Sequence, residues 1–253
     1  MRSIAITSGK GGTGKTTVAI NLSLALSELG QRVVLFDADL QLANVDVAMN
    51  LKAERTLQHV VAGEADLRDV LVAGPKGMRV ACGGSAIRTL MTAGPKKLAL
   101  FFEQIDALAT DTDFVVFDTA AGLDSRVQTF VQRAHETLVV TTPDPTSVTD
   151  AYAAIKTFLR KEPMASIALL PNLVSGEKEG ETLHHTIQAI TKAFLNRGVD
   201  YHGSVRNDPR VALSIRKRTP VLELAPSSPA AQDFRKIASR LASARLTRHG
   251  LAA

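Results

Sequence analysis

Short apolar runs alternate along the whole chain with stretches in which apolar residues recur every three or four positions. The first kind reads as strands buried on both faces and the second as helices laid against them. The runs Ser3 to Thr7, Arg32 to Asp37, Met78 to Ala81, Phe114 to Asp118, Thr137 to Thr141, Ile167 to Leu170 and Tyr201 to Val205 are the predicted strands. Helices are predicted from Thr16 to about Leu29, with Val18, Ala19, Leu22, Ala25, Leu26 and Leu29 in phase and Gly30 as the stop. Further helices are predicted from Pro95, over Ser125 to Ala134, and from a Ser147 cap to a stop before Pro163. Thr182 to Arg197 follows, with Leu183, Ile187, Ile190 and Phe194 in phase and Gly198 closing it. Asp208-Pro209 and Ser228-Pro229 each pair an N-cap with proline at the first helical position. Residues 45–77 read as short helices and loops. Strands alternating with helices predict an α/β fold: a single doubly wound, mostly parallel sheet with helices on both faces. No linker or repeat interrupts the pattern, so residues 1–253 are expected to form one domain, with 229–253 as a C-terminal helix and basic tail.

The first strand leads into Ser8-Gly9-Lys10-Gly11-Gly12-Thr13-Gly14-Lys15-Thr16-Thr17. The spacing G-x-x-x-x-G-K-T is complete from Gly9 to Thr16, between a strand and a helix, as a phosphate-binding loop requires. Glycines let the backbone turn several N–H groups toward one point, and the helix start adds partial positive charge there. Lys15 would reach the β- and γ-phosphates, and the Thr16 hydroxyl would hold Mg²⁺. Lys10 is an additional cation that the general pattern does not need; by itself it reads as a solvated loop lysine.

Asp37 and Asp39 follow the second strand, and Asp118 ends the Phe114 run. In an open parallel sheet ligands gather beyond the carboxyl ends of the strands, so these carboxylates are expected on the same edge as the loop. Mg²⁺ favours a few carboxylates together with phosphate oxygens and water, which this set can provide.

Composition narrows the classes. Hydrophobic residues make up 45% of the chain and aromatics only 4%, which suits an aliphatic core between sheet and helices. The one cysteine, Cys82, leaves no internal disulfide, fits a reducing cytoplasm, and sits in an apolar stretch where a buried structural thiol is expected. A single cysteine also cannot furnish an iron–sulfur cluster, which counts against a metallocentre-reducing enzyme. Met1-Arg2-Ser3 runs directly into a strand, so no signal peptide is expected. The formal net charge of +5 is compatible with nucleotide, anionic lipid or nucleic acid. His184 and His185 are adjacent on a predicted helix and are expected near solvent.

Lys10 to Thr17, K-G-G-T-G-K-T-T, resembles the deviant Walker A loop of the MinD/ParA family of dimerising ATPases. The resemblance implies a Mg²⁺-dependent ATP hydrolase. Lys10 would cross a homodimer interface to the nucleotide of the other subunit. Asp39 would orient the attacking water, Asp118 would hold Mg²⁺ as the Walker B carboxylate, and Asp37 would support its shell. Residues 119–122 would form the second switch. Gly9, Gly11, Gly12, Thr13, Gly14 and Thr17 complete the implied ATP-binding loop. Asn172 and Asp208 fall where the family contacts the base, although Arg206 stands where the family pattern has proline.

Residues outside ATP chemistry narrow the resemblance. Thr141-Thr142-Pro143-Asp144-Pro145-Thr146-Ser147-Val148-Thr149-Asp150-Ala151-Tyr152-Ala153 is similar to the T-T-P-E-P-T-S-I-T-D-A-Y-A of the FlhG (FleN) branch, and residues 39–46 resemble its D-L-G-L-A-N-I-D. Residues 177–180 and 220–230 echo the same branch. That branch implies control of flagellar number or placement and a partner such as an FlhF-like GTPase or another flagellar regulator. The short D-Q-A-type helix through which the branch activates that GTPase is not seen ahead of the first strand. The basic tail around Arg240, Arg245 and Arg248 would be drawn to anionic lipid. Its apolar face is thin, and Phe234, Ile237, Ala238 and Leu241 form a stripe that the core could use instead. A cytoplasmic protein is expected, with a peripheral contact at the inner face of the cell membrane as the further option. Arg206, Arg210, Arg216, Lys217 and Arg218 form a basic cluster that, as the alternative, would serve a ParA-type partitioning ATPase binding DNA non-specifically. A solvated helix face is the simpler reading of it.

Overall fold

The computed structural model describes residues 1–39, 45–83, 85–92 and 94–244. Arg245, Leu246, Arg248 and most of the stretch between Asp39 and Asp46 therefore lie outside the described residues. The strands are β1 (Arg2–Ser8), β2 (Val33–Ala38), β3 (Leu71–Ala73), β4 (Arg79–Ala81), β5 (Phe114–Ala121), β6 (Glu136–Thr141), β7 (Ile167–Val174), β8 (Asp200–Tyr201) and β9 (Val205–Arg206). The α-helices are α1 (Lys15–Glu28), α2 (Val45–Ala48), α3 (Leu57–Ala62), α4 (Ser85–Thr92), α5 (Pro95–Asp106) and α6 (Ser125–Arg133). They continue as α7 (Pro145–Lys161), α8 (Glu177–Leu195), α9 (Pro209–Lys217), α10 (Val221–Leu224) and α11 (Pro229–Ser243).

One sheet runs in the order β3-β4-β2-β5-β1-β6-β7-β8, with β9 also on β7. Every pairing is parallel except β3 with β4. Alternate residues of each strand feed opposite faces. Ile4, Ile6, Val33, Leu35 and Val116 pack with α1, α10 and α11. Val34, Phe36, Val115 and Phe117 pack against α3 to α6, and Ala5, Val139 and Leu169 against α6 to α8. Helices thus cover both faces, as the alternation predicts.

The α1 helix is enclosed almost all round, from Val18 to Ser27, because α11 covers the side turned away from the sheet. The stripe Phe234, Ile237, Ala238 and Leu241 of α11 is at most 1% exposed. Burying side chains of that size stabilises by roughly 1.5–3 kcal/mol each for the larger ones. The described part of the C-terminal helix is therefore spent on the core. Leu29, expected to point inward, is instead 46% exposed where the helix ends. Gly30 takes φ 80° just beyond it, as the predicted stop requires.

Several expectations are corrected. Leu71 belongs to β3, an antiparallel edge strand, and not to a short helix. Tyr201 to Val205 is not one strand: Gly203, at φ 130°, breaks it into β8 and β9. The α8 helix starts at Glu177, not Thr182, and buries Gly180, His184, Ile187 and Thr191. Its inner face is one residue out of phase with the expectation, so Phe194 is 75% exposed. His184, expected near solvent, is buried, donates from Nε2 to the Val199 carbonyl at 2.9 Å and stacks on Tyr201. The shift follows from Gly180, where a Cβ would meet Ser204 Oγ at 2.3 Å; only glycine lets α8 approach the turn between β8 and β9 so closely. Residues 221–224 add a short helix before α11.

Ser147 does not cap α7. Asp144 does, accepting from Ser147 N at 2.9 Å, with Pro145 at the first helical position. The Ser147 hydroxyl accepts from Thr142 N at 3.0 Å. Cys82 is buried, and loss of solvent pushes its thiol up to about 12.

Candidate functional site

The site is built where β1, β2 and β5 end. Asp37 and Asp118 are register partners on neighbouring strands, and Ile6 stands opposite Asp118 on the other side. Both carboxylates share the parity of Leu35 and Val116, so they lie on the α1 face of the sheet, below the loop that follows β1. They came together because β5 inserts between β1 and β2, an order no local pattern reveals.

The loop turns as its glycines permit. Gly12 and Gly14 adopt φ 80° and 88°, and Gly14 caps α1. Gly9 serves a different need: a Cβ there would lie 2.1 Å from the Asp150 carbonyl oxygen, so the loop passes directly over α7. Ser8 Oγ donates to the Lys10 carbonyl at 2.6 Å, and Asn172 Nδ2 donates to the Thr13 carbonyl at 2.8 Å. Thr13 and Lys15 are buried; Gly11 and Gly12 are exposed, while Thr16 and Thr17 are half-buried.

Burial lowers the pKa of Lys15, and the charges of Asp118 and Asp39 work against that. Burial raises Asp118 to about 8, aided by Asp37 and Asp39 and opposed by Thr16 and Lys15. Asp37 rises to about 7, again through burial, although its carboxylate accepts from Val45 N at 3.3 Å and Asp39 N at 3.4 Å. Apart from the Thr16 hydroxyl that favours its charged form, no hydrogen-bond donor among the described residues meets the Asp118 carboxylate. A fully buried carboxylate with so little to match it is costly in an isolated chain. It is suited to a cation shell beside a phosphate, so the residues present fit Mg²⁺ with a nucleotide. Thr16 and Asp118 would hold that ion, with Asp37 behind them.

Lys10 does not float in solvent. Its Nζ donates to Asp144 Oδ1 at 2.7 Å and to Thr146 Oγ at 2.6 Å, at the start of α7. Those contacts hold Asp144 well below the usual carboxylate range, with Thr142, Thr146 and Ser147 N adding to the effect. Asp144 and Thr146 were missed as site residues. The available signal was Asp-Pro, the same cap signature that marks Asp208-Pro209.

At the other end of the site, Asn172 braces the loop through the Thr13 bond already described. Leu173 beside it has φ 60° and is 41% exposed, at a β-bulge between the Asn172 and Val174 pairings. Asp208 is buried and accepts from Arg210 N at 3.0 Å and Ala230 N at 3.3 Å, joining the starts of α9 and α11. Arg206 leaves the basic cluster: it forms a two-pronged pair with Asp233, Nε to Oδ2 at 2.8 Å and Nη2 to Oδ1 at 2.8 Å. This pair pins the backbone that leads to Asp208. Gly122, at φ 99°, donates its N–H to the Ser8 carbonyl at 2.9 Å and ends β5 beside the loop.

A glycine loop wrapped over a buried lysine, set on the strand-end edge of a doubly wound sheet with paired carboxylates beneath, is the construction of the P-loop nucleoside triphosphatases, and this protein is one of them. More narrowly, the chain belongs to the ParA/MinD family. The ParA family model, described as NUBPL iron-transfer P-loop NTPase, matches residues 1–242. The antiactivator FleN of Pseudomonas aeruginosa is 40% identical over 238 residues, which cover 94% of this chain and 85% of FleN. The flagellum site-determining protein YlxH of Helicobacter pylori is 32% identical, over 95% of this chain and 81% of that protein. Among solved structures, the septum site-determining protein MinD of Pyrococcus horikoshii, complexed with Mg-ADP, superposes with a TM-score of 0.79 at 29% identity, covering 96% of each chain. Among the described residues no helix is long and apolar enough to cross a membrane.

Proposed function

We propose that this protein is a Mg²⁺-dependent ATPase that works as a dimerising switch and regulates flagellar number or placement, with residues 1–253 acting as one domain. The observation that carries the reading is the company Lys10 keeps. It is a second loop lysine, beside a complete phosphate loop, with its side chain about a third exposed at 32%. A lysine so placed is free to exchange Asp144 for the phosphates of a nucleotide in a second copy. The 40% identity to FleN, in an alignment covering 94% of this chain, supports the flagellar part.

In this reading Lys15 and the N–H groups of residues 9–17 bind the triphosphate, and Asn172 and Asp208 border the base. Mg²⁺ offsets the charge that develops on the transferring phosphoryl group. Asp39 holds the attacking water in line. Lys10 of the second copy adds positive charge near the γ-phosphate, where it counts most in the transition state. Hydrolysis removes the group that holds the dimer, and the protomers separate. A flagellar regulator or an FlhF-like GTPase reads the dimer, inside the cell and with a peripheral contact at the membrane available to the basic tail.

The test is the solution mass of the wild type and of Asp39→Ala, each with ADP and with ATP plus Mg²⁺. A dimer that forms only with ATP, and persists in the variant, is the expected result. A mass that ignores the nucleotide removes the switch. The iron-transfer description attached to the family model does not transfer readily, because Cys82 is the one cysteine and is buried. DNA partitioning is the second reading. It rests on Arg210, Arg216, Lys217 and Arg218, which are exposed. It predicts ATP-dependent, steeply salt-sensitive binding to duplex DNA of any sequence.

A further inference from the structure

Beside the nucleotide loop, and sharing Thr16 and Thr17 with it, lies a groove whose other lining residues the proposed chemistry does not use. It is a cavity of about 310 Å³ between α1, α2 and the C-terminal half of α9. Ile20 of α1, Val47 of α2 and Ile215 of α9 are its apolar walls, and Arg218 and Pro220 also line it. Val47 and Ile215 are 49% and 54% exposed, so two β-branched apolar side chains face water across a concave surface. A concave apolar surface of this kind is a common mark of a binding site.

Among the residues that line it, Arg218 carries the charge. The α9 sequence PRVALSIRK contains no acid, and the groove's lining contains no carboxylate. Arg216, Lys217 and Arg218 are exposed at the end of α9, and none of them forms an ion pair among the described residues. Arg218 has φ 52° and ψ 40°, the left-handed helix end that glycine fills at least cost. A strained residue that also carries an unpaired charge points to use.

We propose that this groove docks an acidic amphipathic segment of a partner protein, seating an apolar side chain against Val47 and Ile215 and laying a carboxylate over Arg218. The combination of apolar lining, Arg218 and the basic end of α9 selects that occupant. Nucleic acid would find phosphate partners on the rim but nothing for Ile20, Val47 and Ile215 to do. A bilayer needs apolar side chains that protrude, and here they line a hollow. A second copy meeting this face symmetrically would bring its own α9 and set like charges against each other.

The groove also touches the nucleotide machinery. Thr16 and Thr17 line it, and α2 begins at Val45, whose N–H is held by Asp37. Docking and nucleotide state would therefore influence each other; that coupling rests on the proposed function, whereas docking itself does not.

The experiment is selection of helix-length random peptides, about 15 residues or four turns, on the full-length chain. Affinities of the enriched peptides are then measured for the wild type, Ile215→Glu, Val47→Lys and Arg218→Gly. Enriched peptides should be acidic, with apolar residues three and four apart. Ile215→Glu should weaken them about tenfold or more, as loss of an interface anchor does. Arg218→Gly should weaken them less and flatten the salt dependence. Both walls are tested because either wall variant alone could perturb its own helix, and thermal unfolding of each is recorded alongside. The proposal fails if no peptide is enriched, if the enriched peptides are not acidic, or if neither wall variant alters affinity. It also fails if Ile215→Glu instead abolishes binding to phosphatidylglycerol vesicles or duplex DNA, or changes the solution mass with ATP. A chain that never dimerises with ATP but binds acidic peptides at Ile215 would remove the switch and leave the docking site.

Discussion

Lys10 Nζ and Asp144 Oδ1 lie 2.7 Å apart, joining the phosphate loop to the residue that caps α7, 134 positions further along the chain. The same Asp144 oxygen accepts from Thr146 Oγ and from Ser147 N, so one carboxylate both starts a helix and holds the loop lysine. A lysine that must act on a second copy has first to leave this site.

Replacing Asp144 by Asn should therefore favour the dimer. Asn is as good an N-cap as Asp, so α7 is kept while the charge that retains Lys10 is lost. Exposed pairs are weak, so ATP-dependent dimerisation should tighten by about two- to tenfold, counting one lysine freed in each protomer. Sedimentation across a concentration series measures this. An unchanged or weaker dimer would mean that Lys10 is not restrained by Asp144.

The buried carboxylates set a pH dependence. Asp118 and Asp37 are pushed to about 8 and about 7 from 3.8. Between 3.8 and about 8 the folded chain thus holds protons that the unfolded chain has released. Stability of the nucleotide-free protein should fall as pH rises through that range. Binding of nucleotide with Mg²⁺ should expel protons near neutral pH. Calorimetry in two buffers of different ionisation enthalpy counts them, and equal apparent enthalpies in both would contradict this account. Asp118→Asn should gain on the order of 1 kcal/mol at pH 8 relative to wild type by removing a buried charge, while losing Mg²⁺-dependent turnover.

Two glycines of the same loop should behave differently. An alanine Cβ at Gly9 would run into the Asp150 backbone at 2.1 Å, whereas one at Gly11 meets nothing within 4 Å. Gly9→Ala should cost about 1–3 kcal/mol and displace the loop from α7. Gly11→Ala should stay within about 0.5 kcal/mol of wild type. Urea unfolding with and without ADP separates the two; equal midpoints would show that the close approach to α7 is not required.

Arg218→Gly should stabilise the protein. Relief of a left-handed non-glycine residue is worth about 1–2 kcal/mol. The extra freedom of glycine in the unfolded chain takes back about 0.4–1 kcal/mol. A net gain of about 0.5–1 kcal/mol should appear as a higher unfolding midpoint. If the midpoint falls instead, the charge of Arg218 at the end of α9 stabilises the chain more than its backbone strain costs.

By itself the sequence determined the local frame: the strand–loop–helix order, the phosphate loop from Gly9 to Thr16, and the placement of Asp37 and Asp118 on strands, although β5 runs on past Asp118 to Ala121. Each is a matter of residue periodicity or of spacing within one short window. The tertiary structure alone decided which of these meet. Strand order put β5 beside β2, and so Asp118 beside Asp37. It also brought α7 under the loop, which gave Lys10 its partner and made Gly9 obligatory by proximity rather than by dihedral angle. The same reason explains the misjudged phase of α8 and the missed strand β3. The face a short element buries is set by what it packs against, here Ser204 for Gly180 and the edge of β4 for Leu71. The groove over α1 likewise exists only because α2 and α9, far apart in sequence, stop on either side of it.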